Sequence, residues 1–197
     1  MSIASPRPRI FGALLIIGAA LTATASWCSE NPEAGGPGTG AKGTFHWDLP
    51  QLANAMHLRE ADARRYFTDG RRVSFILERR IAFEVLHGTL APSEKSPYDA
   101  IDDKGGRWEV RSLSHRGVYF CPSYMVGSSR HFEEAGFMKK LDGIRGYVVA
   151  DIESFPDVPY WEITSERVRA WWRGGKLGAD SKISREKALE LFSHSSE

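Results

Sequence analysis

Two short stretches of this sequence hold residue types at a spacing suited to metal and phosphate chemistry. Tyr98-Asp99-Ala100-Ile101-Asp102 carries two acids, and Trp108-Glu109-Val110-Arg111 follows after a glycine-rich turn. Side chains on a strand alternate between faces, so Glu109 and Arg111 point one way while Trp108 and Val110 point the other. A turn of suitable register brings Asp99 onto the face of Glu109 and Arg111. Two carboxylates converging there make a hard oxygen site suited to Mg²⁺ or Mn²⁺, with the Val110 carbonyl as a further ligand. An ion so held lowers the pKa of bound water and neutralises charge building on a phosphate. The Arg111 guanidinium can then clamp the phosphate or hold the attacking water. The same residues also suit an exposed hairpin, in which Glu109 and Arg111 form a surface pair that contributes little.

Several elements must position these residues. Residues 49–67 have a helical pattern in two pieces, and Asp69-Gly70 breaks it. Residues 72–87 form the clearest long helix, with Gly88 as its stop. On it, Phe75, Ile81, Ala82 and Val85 fall on one apolar stripe that also contains Glu78, while Glu84 lies beside Arg80. A carboxylate on a core-facing stripe is costly unless it is paired or bound, so Glu78 either meets an arginine or joins the acidic site. Strands are expected at residues 98–102, 107–113 and 118–121, then a helix over 132–141 and strands over 147–152 and 160–163. Thr164 or Ser165 can cap the helix carrying Trp171 and Trp172, and Ser184 a last one through Phe192. This order predicts one α/β domain over residues 45–197, without internal repeats.

An acid on one strand, Glu-x-basic on the next and a glutamate on the helix upstream resemble the PD-(D/E)XK nuclease superfamily, and within it the type II restriction endonucleases. Over residues 71–163 the resemblance implies a restriction-endonuclease-like core, a central mixed β-sheet flanked by helices. It implies a Mg²⁺- or Mn²⁺-dependent endonuclease hydrolysing DNA phosphodiesters, with Asp99 and Glu109 on the metal, Glu78 assisting and Arg111 as the basic residue. Cutting both strands of a palindrome adds the expectation of a homodimer. The sequence departs from the pattern in three ways. Pro97 stands two residues before Asp99, with Tyr98 between. Arg111 replaces the usual lysine, and arginine cannot deprotonate to act as a base. The chain also begins with an export-like segment.

That segment comprises Arg7 and Arg9, an apolar run at residues 10–21 and the small residues Ala23-Thr24-Ala25. Residues 1–25 are therefore expected to be a signal peptide or membrane anchor, and residues 26–44 a flexible Gly- and Pro-rich linker. An upstream misassigned start would instead leave the protein cytoplasmic. Removing Arg7 and Arg9 from the 26 basic residues leaves 24 against 25 acids, so nucleic-acid binding must come from a local patch. Arg71 and Arg72 lie in an arginine-rich run between Arg59 and Arg80. The loop Gly127-Ser128-Ser129-Arg130 offers amides, hydroxyls and a cation to a phosphate, and Lys139 and Lys140 extend that surface. Cys28 and Cys121 and the six histidines show no metal-site spacing. No phosphate-binding glycine loop, dinucleotide fingerprint or nucleophile elbow is present, so no nucleotide cofactor is expected. Two other readings fit the residues: a non-catalytic DNA-binding member of the same fold, and an exported envelope protein that binds a partner.

Overall fold

The computed structural model describes residues 40–127 and 129–194. The expected signal or anchor at residues 1–25, and most of the expected linker, lie outside them. The described chain runs β1 (Gly43–His46), α1 (Leu49–Ala55), α2 (Glu60–Phe67), α3 (Gly70–Arg80), β2 (Thr89–Leu90), β3 (Ala100–Ile101), β4 (Arg107–Leu113) and β5 (Val118–Tyr119). It continues through α4 (Glu134–Gly143), β6 (Gly146–Asp151), β7 (Asp157–Thr164), α5 (Ser165–Arg173), β8 (Lys182–Ile183) and α6 (Arg185–Ser193). Six strands form one mixed sheet in the order β1-β7-β6-β4-β3-β2, in which only β4 and β6 are parallel. Parallel neighbours require a crossover, and here α4 lies within it, so this helix returns over the strand that carries Glu109.

The central strand β6 is buried along its whole length, and its alternate residues divide the core in two. Val148 and Ala150 pack with Trp108, Val110, the α3 residues Val73 and Leu77, and Ile81 just beyond α3. Tyr147 and Val149 pack on the other face with Phe137 and Leu141 of α4, Trp171 of α5 and Phe192 of α6. Trp108 and Val110 therefore face α3, while Glu109, Arg111 and Leu113 face α4. The molecule is thus an α/β protein with a mixed central sheet flanked by helices, as its sequence predicts.

Several local expectations need correction. The strand expected over residues 98–102 pairs only at Ala100 and Ile101, because the chain before it diverges from β4. The strand expected over 118–121 is reduced to two residues and pairs with β8 in a separate two-stranded sheet. Strands β1, β2 and β8 had no signal strong enough to predict them, and β1 begins at Gly43, inside the expected linker. The core row of α3 is Val73 and Leu77, continued by Ile81 just beyond it, whereas Phe75 is 60% exposed. At about 100° per residue, Phe75 lies about 160° round the helix from Leu77 and cannot share its face. The helix then widens into a π turn over Ile81–Val85 and ends at Leu86.

The hairpin β3–β4 is fixed at its turn by Asp102. Its carboxylate accepts the Trp108 indole N–H at 2.8 Å and the amides of Gly106 and Lys104 at 2.7 and 2.9 Å. The turn also needs Gly105, whose φ of 81° favours a residue without a side chain. These bonds set Ala100 opposite Trp108, and Asp99 therefore meets the stretch of β4 that carries Glu109. Leu77→Ala should cost about 2–5 kcal/mol in urea unfolding, whereas Phe75→Ala should change stability by less than about 1 kcal/mol.

Candidate active site

Asp99 stands where β3 stops pairing. Its amide still donates to the Trp108 carbonyl at 2.9 Å, but its side chain replaces the next rung of the ladder. One carboxylate oxygen accepts the Val110 amide at 2.8 Å. A side chain thus satisfies a backbone donor that the departing strand leaves behind. Beyond this point β4 has a free edge on its β3 side, and a cleft of about 980 Å³ opens along it. Glu78, Asp99, Glu109 and Arg111 all line that cleft.

Glu109 and Arg111 share a face, as the strand period requires, and their side chains meet at 2.8 Å. Glu109 is not a surface residue, because only 8% of its side chain is exposed. Its second oxygen is held by Lys140 of α4, whose side chain is equally buried. Lys140 also donates to the Pro97 carbonyl, which ties α4 to the segment leading into Asp99. Arg111 donates one N–H to the Cys121 carbonyl at 3.1 Å, while its Nε–H is buried without a partner. A buried carboxylate flanked by two cations with further hydrogen bonds meets the conditions under which a buried charge is tolerated. The exposed-hairpin alternative is thereby set aside.

Lys140, read in the sequence with Lys139 only as an extension of a phosphate-binding surface, is a buried partner of Glu109. Lys139, favoured there for nucleic acid, is exposed and does not line the cleft. The helical wheel carries the distinction. Phe137 and Leu141 define the buried face of α4, and Lys140 lies within about 100° of both, whereas Lys139 lies on the opposite side.

The charges near Glu109 nearly balance, since Asp99 and Glu109 oppose Arg111 and Lys140. Glu78 is a fifth, excess charge. Burial, then repulsion from Asp99, pushes its carboxyl up to about 7, and Arg79 offsets this only in part. Asp99 is also raised, first by burial and then by Glu109, while the Val110 amide, Arg111 and Lys140 act against the rise. An added cation would relieve both acids. Among the described residues no three His, Cys, Asp or Glu side chains are grouped so as to hold a metal. The donors fit a more open site, since Mg²⁺ usually keeps several waters and binds through one or two carboxylates. Asp99 and Glu109 are the two carboxylates that could serve such a site, with Glu78 on the same cleft lining.

The remaining candidates divide by position. Arg71 and Arg72 are exposed and line the cleft, together with Arg65 and Arg116. Arg130 instead folds back on its own loop, donating to the carbonyls of Ser123 and Val126 at 2.7 and 2.9 Å. Ser128 lies outside the described residues. His115 is exposed and approaches Glu153 at 3.1 Å, and Glu153 also accepts the His115 amide. Asp151, 1% exposed, accepts two bonds from Arg185 and one from Ser154. Asp151 is therefore held in a structural ion pair.

The raised carboxyl of Glu78 has a consequence for stability. Below about pH 4.5 Glu78 is protonated whether the chain is folded or unfolded, so it costs nothing. As pH rises through about 7 the folded state must ionise it at a cost. In chelator, Glu78→Gln should therefore match the parent near pH 4 and exceed it by about 1–2 kcal/mol at pH 8. That gain is roughly half the full-shift value, because the side chain is partly solvated. Urea unfolding at the two pH values measures it. Set against protein-family models, curated proteins and solved structures, the chain matches none.

Proposed function

We propose that this protein is a divalent-metal-dependent nuclease that hydrolyses phosphodiesters of DNA, with a restriction-endonuclease-like core. The observation that carries the reading is that Asp99, just before β3, and Glu109 and Arg111 of β4 line one arginine-bearing cleft, with Lys140 of α4 paired to Glu109. The chain path supports it too. Helix α3, strands β2, β3 and β4, the short strand β5, helix α4 and strand β6 follow one another, with the acids at the hairpin where the resemblance expects them.

In this reading Asp99 and Glu109 hold Mg²⁺ or Mn²⁺ and Glu78 assists. A bound ion supplies an acidified water and charge neutralisation at the phosphate. The chain's own groups do the remaining work. Arg71 and Arg72 receive backbone phosphates at the cleft wall. Arg111, which lines the cleft, would offer a guanidinium N–H to a phosphate oxygen, a charge-assisted contact that arginine makes without ever losing its proton. Lys140 holds Glu109 until the ion would take its place on that carboxylate. Glu78, poised near neutrality, is suited to taking a proton from the attacking water.

One observation favours a second reading, a non-catalytic nucleic-acid-binding protein. Both oxygens of Glu109 are already engaged by cations, so a metal ligand there must exchange Lys140 for the ion. Cleavage of plasmid and single-stranded DNA separates the two. The nuclease reading expects cutting that requires Mg²⁺ or Mn²⁺, stops with chelator and falls at least about a hundredfold in both Asp99→Ala and Glu109→Ala. Metal-independent cutting, or cutting that survives both substitutions, contradicts it. Binding without cutting supports the second reading.

A further inference from the structure

The carboxylates sit at a seam between two hollows of opposite character. The larger cleft carries Arg65, Arg71, Arg72 and Arg116. A smaller hollow of about 350 Å³ is walled by Phe75, Leu90, Ala91 and Tyr98, with Glu94 at its rim. Ser74, Glu78 and Asp99 line both. Phe75 is 60% exposed and packs into neither core, although Val73 and Leu77, two residues away on either side, are buried. The Arg79 guanidinium lies 3.3 Å from its ring centroid and donates to the Phe75 carbonyl, which holds the ring in place. An exposed aromatic fixed beside an acidic seam calls for a ligand that has a π face.

Charge decides which part of a nucleic acid enters each hollow. In the smaller one Glu78, Glu94 and Asp99 outnumber the single Arg79, which disfavours phosphate, whereas in the larger Arg65, Arg71, Arg72, Arg111 and Arg116 match the acids and leave exposed cations for it. A nucleobase suits the smaller hollow, because it can stack on Phe75 and offer amino N–H groups to the carboxylates. Its volume lies within the range of small-molecule pockets, about 300–1,000 Å³. A base inside an intact duplex is stacked and paired, so it cannot enter. We propose that this hollow is a base-binding subsite, with Phe75 as its stacking platform, and that the substrate is a single strand whose unpaired base lodges there next to the phosphate at Asp99 and Glu109. This rests on the nucleic-acid reading above and narrows it to unpaired substrates.

The test is binding of the full chain in chelator to a labelled single-stranded oligonucleotide and to the blunt duplex of the same sequence, read by fluorescence anisotropy. Phe75→Ala should weaken single-strand binding by about tenfold or more while duplex binding stays within about twofold. Phe75→Trp should restore it, which a general loss of fold would not allow. Equal losses on both forms, or no loss on the single strand, overturn the inference. If the duplex is bound and cut with metal but Phe75→Ala changes nothing, this subsite falls and the nuclease reading stands. If the parent binds neither form, both fall.

Discussion

The buried carboxylate of Glu109 is the constraint on which the rest of the site depends. A charge at a position 8% exposed is tolerated only with partners that replace its lost hydration. Arg111 supplies one partner two residues along the same strand. Lys140 supplies the other from the helix that crosses back between β4 and β6. The need to neutralise one side chain thus fixes a helix against a strand, and the same lysine reaches the segment before Asp99 through the Pro97 carbonyl. Three parts of the chain converge on this one charge.

The neighbouring sheet edge gives that charge something to act on. Because β3 pairs through only two residues, β4 keeps an open edge beside the helix α3. Asp99 caps the first unpaired amide there, and its remaining oxygen faces a region of raised carboxyl groups. Nothing in the hydrophobic core requires Glu78, Asp99 and Glu109 to lie so near one another. Burial first, and then repulsion from Asp99, raises Glu78 to about 7, a cost retained at the edge of an otherwise well-packed sheet. Perturbed acids in a cleft are a recurring mark of functional sites, and the arginines along the same wall are what the proposed nucleic acid would meet.

Much of this arrangement was legible in the sequence, for reasons that can be named. The alternation of Trp108, Glu109, Val110 and Arg111 set both faces of β4, because one face meets the apolar row of α3 and the other does not. Gly105 and Asp102 marked the turn, and Ser184 and Thr164 marked the helix starts they cap. Two-residue strands such as β2 and β8 were not legible, since their pairing is set by distant partners rather than by local pattern. Lys140 was hidden by its neighbour Lys139, because a pair of lysines on a helix looks like a solvated surface until its phase is measured against Phe137 and Leu141. Phe75 was misassigned to the core by a stripe drawn too wide. Its exposure beside the acids is what makes it informative.

The most direct test of the central claim is an anomalous difference map from crystals soaked in Mn²⁺. The account predicts one strong peak within about 2–2.6 Å of oxygens of both Asp99 and Glu109, with the Lys140 ammonium moved off the Glu109 carboxylate. A map with no peak there, while Glu109 remains clasped by Arg111 and Lys140, would contradict a metal-dependent site at this seam.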